Sequence, residues 1–167
     1  MVVVIILVIV CLIVVFSLIP PKKDFWEINE SDILEAKKLM NTEFYKKLTS
    51  EIYNQNIKWL KEHIKDYGKL SIYFTDIRAD LEHIYTLDFD GYDSTLYFKD
   101  IGYAPLENKH QIKILLYALS KCPGYKAYEV RGNKTYSYAC VSCDYDYWKR
   151  IYDKHMQEEN AKLKKIF

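Results

Sequence analysis

Residues 2–18 read VVVIILVIVCLIVVFSL, an unbroken apolar stretch with no charged side chain, Gly or Pro. About 18 residues rising 1.5 Å each make a helix of roughly 27 Å, close to the thickness of a bilayer's hydrocarbon core. The pattern predicts a transmembrane anchor over 1–19. A secretory signal has a basic start and a shorter apolar core. Here nothing but Met1 precedes the run, although Val15-Phe16-Ser17 has the small residues of a poor cleavage site. Lys22 and Lys23 follow the run and no basic residue precedes it, so the flanking charges place residues 20–167 on the cytosolic side. Pro20 and Pro21 end the helix and open a juxtamembrane linker over 20–30, in which Phe25 and Trp26 suit the headgroup zone. In that orientation the glycosylation triplets at Asn29 and Asn133 read as chance occurrences.

Beyond the linker the hydrophobic period changes several times. Ser31 is placed to cap a first helix ending at Met40. A second helix is expected over 42–67, with Tyr45, Leu48, Ile52, Trp59, Leu60, Ile64 and Tyr67 at three- and four-residue steps and Gly68 as its stop. From Lys69 the period falls to two, and Leu70, Ile72 and Phe74 predict a strand. Asp90-Gly91 is a two-residue hairpin turn, which predicts the pairs Phe89 with Tyr92, Leu87 with Ser94, Tyr85 with Leu96 and His83 with Phe98. That register gathers Leu81, Tyr85, Leu87, Phe89, Leu96 and Phe98 on one side and leaves Thr86, Asp88, Asp93, Thr95 and Lys99 on the other.

Asn108, with Gln111 three residues on, forms a capping box for a mostly apolar helix through Lys121, stopped by Cys122-Pro123-Gly124. A second hairpin is expected from strands at 125–130 and 134–141, turning at Arg131-Gly132-Asn133. A polar helix from about Asp144 carries Trp148, Ile151, Tyr152 and Met156. The expected architecture over 31–167 is one α+β domain, in the order α, α, βββ, α, ββ, α, with the helices packed on a single antiparallel sheet of about five strands.

Charge adds an exclusion. The chain has 24 basic and 23 acidic residues, and acids interrupt the Lys-rich stretches, so no basic stripe for nucleic acid emerges. Only Arg78, Arg131 and Arg150 are arginines, which with abundant Tyr, Ile and Asn matches an AT-rich coding bias. Sixteen tyrosines are a large excess. They suit half-buried sheet faces and protein interfaces alike.

Candidate chemistry centres on cysteine. Cys140-Val141-Ser142-Cys143 follows a strand and is expected to open a helix, where a thiol oxidoreductase carries its motif. That motif needs further strands downstream, and only one helix remains. A zinc site is the second reading, with Cys122, Cys140 and Cys143 as thiolates and His155 or His110 completing a tetrahedron. A third is geometric: a turn closed over 131–134 aligns Cys122 with Cys143 and Tyr125 with Cys140, so an oxidising compartment would allow a Cys122–Cys143 disulfide. Against all three stands a plain structural role for small, half-buried thiols. Asp88, Asp90 and Asp93 lack the spacing of a calcium loop. Asp76, Asp80, Glu82 and His83 form a polar cluster without a nucleophile, and His83 reads as a hydrogen-bonded core histidine. No phosphate loop, G-x-S-x-G or H-E-x-x-H motif occurs, and no small-molecule substrate is indicated.

These features point to a single-pass membrane protein, non-enzymatic, whose domain docks another protein or assembles with itself near the bilayer. A scaffold, a minor structural protein of a virion, or a subunit of a membrane complex would all fit. A membrane-tethered thiol enzyme or zinc module is the alternative.

Overall fold

The computed structural model describes residues 24–63, 77–89, 92–133 and 136–165. The expected anchor over 1–19, the end of the second helix with Gly68, the strand over 70–74, Asp76 and the turn residues Asp90-Gly91 lie outside the described residues. Among the described residues no helix is long and apolar enough to cross a membrane.

Four helices and five strands are described, running α, α, βββ, α, ββ, α, although the first of the strands, at Arg78–Ala79, is not the one expected over 70–74. The helices are α1 (Glu30–Met40), α2 (Glu43–His63), α3 (Lys109–Leu119) and α4 (Tyr145–Leu163). The strands are β1 (Arg78–Ala79), β2 (His83–Phe89), β3 (Tyr92–Tyr97), β4 (Tyr125–Gly132) and β5 (Ser137–Cys143), with a 3-10 turn at Phe98–Ile101.

Side-chain caps set three of the helix starts. Asn29, not Ser31, caps α1: its side chain accepts from the Asp32 N–H and the Asp32 carboxylate accepts from the Asn29 N–H, a closed capping box. Asn108 caps α3 through the Gln111 N–H, but Gln111 returns its side chain to the Glu107 N–H, one residue earlier than expected. Asp144 caps α4 through the Tyr147 N–H. The stretch expected as linker is bound to the domain from Asp24 onward. The Trp26 indole donates to Ser137 O at 2.9 Å, and the Tyr128 hydroxyl donates to Trp26 O at 2.7 Å.

The expected single sheet is instead two small antiparallel sheets, β1-β2-β3 and β4-β5. Among the described residues one bridge stitches them together: Ile77 and Val141 exchange both backbone hydrogen bonds, each 3.0 Å. Near its turn the first hairpin keeps the expected register, Phe89 with Tyr92 and Leu87 with Ser94. A bulge at Thr86 then shifts it, so Tyr85 faces Thr95, Ile84 faces Leu96 and His83 faces Tyr97. A shift of one residue turns side chains to the opposite face. Ile84 and Leu96 therefore point inward and are buried, Thr86 is buried as well, and Leu81 is exposed.

The second hairpin turns two residues later than expected, which slides the partner of each β4 residue from Tyr128 on by four. Asn133 N–H donates to Tyr136 O at 2.7 Å, and the Asn133 side chain accepts from the Tyr136 N–H. Gly132 pairs with Ser137, Glu129 with Cys140 and Tyr125 with Cys143. The alignment of Cys122 with Cys143 is thereby lost.

Helix α3 lies between α1 on one side and β1, β4 and β5 on the other, while α2 lies over β2 and β3. Ile77, Ile84, Leu96, Ala139 and Val141 from the sheets join Leu48, Leu60, Leu115, Leu119 and Trp148 in one apolar core. Helices α2 and α3 thus cover the core face of the two joined sheets, with α1 packed on α3 and α4 against α2.

Candidate functional site

Alternation along the strands decides what the other face carries. Ile77 and Ala79 point to the core, so Arg78 between them points outward, where it is exposed. Register extends the outward set across the neighbours: Arg78 pairs with Tyr85 and His83 with Tyr97, and in the second sheet Glu129 pairs with Cys140 and Arg131 with Tyr138. His83 sits between two tyrosines, 4.4 Å from the Tyr85 ring and 5.4 Å from the Tyr97 ring, centroid to centroid. Lys99 places its ammonium 5.2 Å from the centre of Tyr97. Tyr136, 66% exposed at the hairpin end, stands 5.8 Å from Tyr138. Between the two sheets this face dips into a cleft of about 380 Å3 lined by Arg78, Asp80, Tyr85, Tyr136 and Tyr138.

The polar groups here have structural duties. Asp80 Oδ1 accepts from the Glu82 and His83 backbone N–H groups at 2.8 and 2.9 Å, fixing the turn into β2. His83 Nδ1 lies 2.9 Å from the same oxygen without a hydrogen bond between them. His83 belongs to the outer face and not, as expected, to the core. Glu129 accepts from the Ser142 hydroxyl and from Arg131, and those two contacts hold its carboxyl below the usual range. Phenols, guanidiniums and one imidazole in this setting can grip a protein surface through apolar contact and hydrogen bonds. A carboxylate committed to a turn is poorly placed for bond-making chemistry.

The cysteines occupy three different environments. Cys122 sits in the turn after α3, half-buried, with its Sγ 3.3 Å from the Tyr45 hydroxyl, which also donates to Ala118 O at 2.6 Å. Burial pushes its thiol up, only partly offset by the Tyr45 contact, which makes Cys122 a poor nucleophile. Cys140 is fully buried within β5 and Cys143 ends that strand, half-buried. The CxxC motif therefore lies in a strand and does not open a helix, which begins only at Tyr145. Residues three apart in a strand point to opposite faces, so Cys140 and Cys143 lack the shared bite of a zinc or redox pair. His155 lies 3.5 Å from Glu158 on α4, and His110 lies 2.9 Å from Glu35 on α1. Among the described residues no three His, Cys, Asp or Glu side chains gather as a metal-binding group.

One constellation escaped the sequence reading altogether. Lys113 lies on α3, and its Nζ is 2.6 Å from Asp32 Oδ2, with 6% and 2% of the two side chains exposed. Burial by itself would raise the Asp32 carboxyl. The hydrogen bond to Lys113, the Asn29 N–H and the lysine's charge overcome it and leave the carboxyl below its ordinary value. The legible signal was a lysine inside the run Ile112-Lys113-Ile114-Leu115-Leu116, a position that only a paired charge can hold. This pair welds α1 to α3 and has no open access. The chain matches no protein-family model, no curated protein and no solved structure at a significant level.

Proposed function

We propose that the chain is a membrane-anchored scaffold, tethered by residues 1–19, whose domain docks a partner protein through the outer face of its two sheets. The observation that carries this reading is the concentration of Tyr85, Tyr97, Tyr136 and Tyr138 with Arg78 on the face that the described helices leave uncovered. Tyrosine and arginine supply a disproportionate share of interface energy. They offer large contact area and directional polar tips at little entropic cost. Alternation would put polar residues on a merely solvated face, and here it puts aromatic rings there.

The test is purification of the full-length chain from its native membranes in mild detergent, beside the variant Arg78→Ala/Tyr97→Ala/Tyr136→Ala. The expected result is a stoichiometric partner that accompanies the wild type and is lost from the variant while the melting temperature stays unchanged. A wild type that retains no stoichiometric partner, or a variant that keeps it, ends the proposal.

A further inference from the structure

The second sheet has an edge whose chemistry is self-complementary. Among the described residues β4 pairs only with β5, on one side. Which backbone groups face the other side follows from the hydrogen bonds already placed. Val141 spends its N–H and C=O on Ile77, away from β4, so its partner Tyr128 is in a non-hydrogen-bonded pair and turns its own N–H and C=O outward. The alternation then sends the backbone groups of Glu129 and Arg131 inward and those of Val130 outward. At the hairpin end the Asn133–Tyr136 hydrogen bond has the phase this requires. The edge is also apolar at its middle: Val130 is 40% exposed.

We infer that β4 pairs antiparallel with β4 of a second copy, about a two-fold axis at Val130. Charge selects that register. Centred on Val130, the pairing sets Glu129 of each copy opposite Arg131 of the other, in a non-hydrogen-bonded pair whose side chains approach closely. Centred on Glu129 it would oppose two carboxylates, and centred on Arg131 two guanidiniums. Centred on Tyr128 it would run into the irregularity between Tyr125 and Tyr128, where β4 leaves regular pairing. In the single chain Arg131 already reaches Glu129, at 2.6 Å. Association therefore exchanges two ion pairs within strands, one in each copy, for two between strands. The two-fold axis stands perpendicular to the sheet, so both outer faces stay on one side, and so do both copies of Asp24. Two chains tethered at their N-termini can therefore pair from one bilayer. The pairing does not depend on what the outer face binds.

The experiment is disulfide trapping of the full-length chain carrying Val130→Cys, with the wild type and Ala127→Cys as references. A hydrogen-bonded antiparallel pair brings Cα atoms to about 5.5 Å, the separation a disulfide prefers. Mild oxidation is expected to give a covalent dimer with Val130→Cys beyond that of either reference. Adding Arg131→Glu should lower the trapped fraction by about tenfold, because like charges then face each other twice. Combining Glu129→Arg with Arg131→Glu should restore it, since the opposition is reversed but kept. Equal trapping at position 127, no response to Arg131→Glu, or no recovery in the double reversal would overturn the inference. So would a monomeric mass by light scattering for the unsubstituted chain at about 100 µM, where even a micromolar contact is filled.

Discussion

The indole ring of Trp148 occupies the space that a side chain at Gly124 would need. A Cβ built on Gly124 would stand 2.7 Å from two ring carbons of Trp148, and the Trp148 Nε1–H donates to Gly124 O at 2.9 Å. Gly124 also holds φ +93°, and its carbonyl accepts from the Asp144 N–H at 2.7 Å. One residue thus stops α3, starts β4 and seats the first turn of α4. The fully buried Trp148 is the plug that makes the three agree.

Gly124→Ala should therefore be among the most damaging small substitutions in the chain. It meets two penalties, a left-handed backbone and an overpacked core, each of order 1–3 kcal/mol. Chemical denaturation should show the loss, and Trp148→Phe in the same background should recover part of it by vacating ring volume.

The Asp32–Lys113 pair predicts an asymmetric mutational response. Asp32→Ala leaves a buried ammonium without its partner and should cost about 3–5 kcal/mol. Replacing both residues by leucine should cost far less, because no charge is then buried. The pH dependence has a definite sign. The folded carboxyl lies below its ordinary value of 3.8, so its contribution is complete above that value and fades as pH falls through the folded one. Acid titration of the wild type against Asp32→Asn should show this component missing from the variant.

Ile77 and Val141 form the joint between the two sheets, and both are fully buried. Ile77→Ala should cost about 2–5 kcal/mol through the cavity it leaves. Hydrogen exchange should report faster opening at the Val141 amide, which donates to Ile77 O, and in both sheets together.

The thiols should behave as structural groups. Cys140→Ser places a hydroxyl at a fully buried position and should cost about 1–3 kcal/mol. Cys122→Ser, half-buried beside Tyr45, should cost about 1 kcal/mol or less, as a modest exchange of hydrogen-bonding partner. A chelator should leave the melting curve unchanged. A drop in melting temperature on chelation would revive the zinc reading.

Helix starts and the turn-proximal part of the first hairpin were legible in the sequence, because a cap or a turn is decided by residues within a few positions of one another. Asn108 caps α3 as expected, α4 begins beside Asp144 as expected, and Phe89 meets Tyr92 as expected. Asn29 and Ser31 both have capping side chains, and only the reciprocal bond to Asp32 separates them. The outer face was half legible: the excess of tyrosine was visible, but a regular register put Tyr85 on the wrong side.

What the tertiary structure alone decided was register and burial. The bulge at Thr86 is favoured because it turns Ile84 inward beside Leu96, and nothing near Thr86 announces it. The late turn of the second hairpin, the Ile77–Val141 joint and the burial of Lys113 each depend on groups far away along the chain. Local order follows from neighbours and can be read in one dimension. Which face of a strand meets the core, and which charge finds a counterion there, are settled only when distant segments compete for the same buried space.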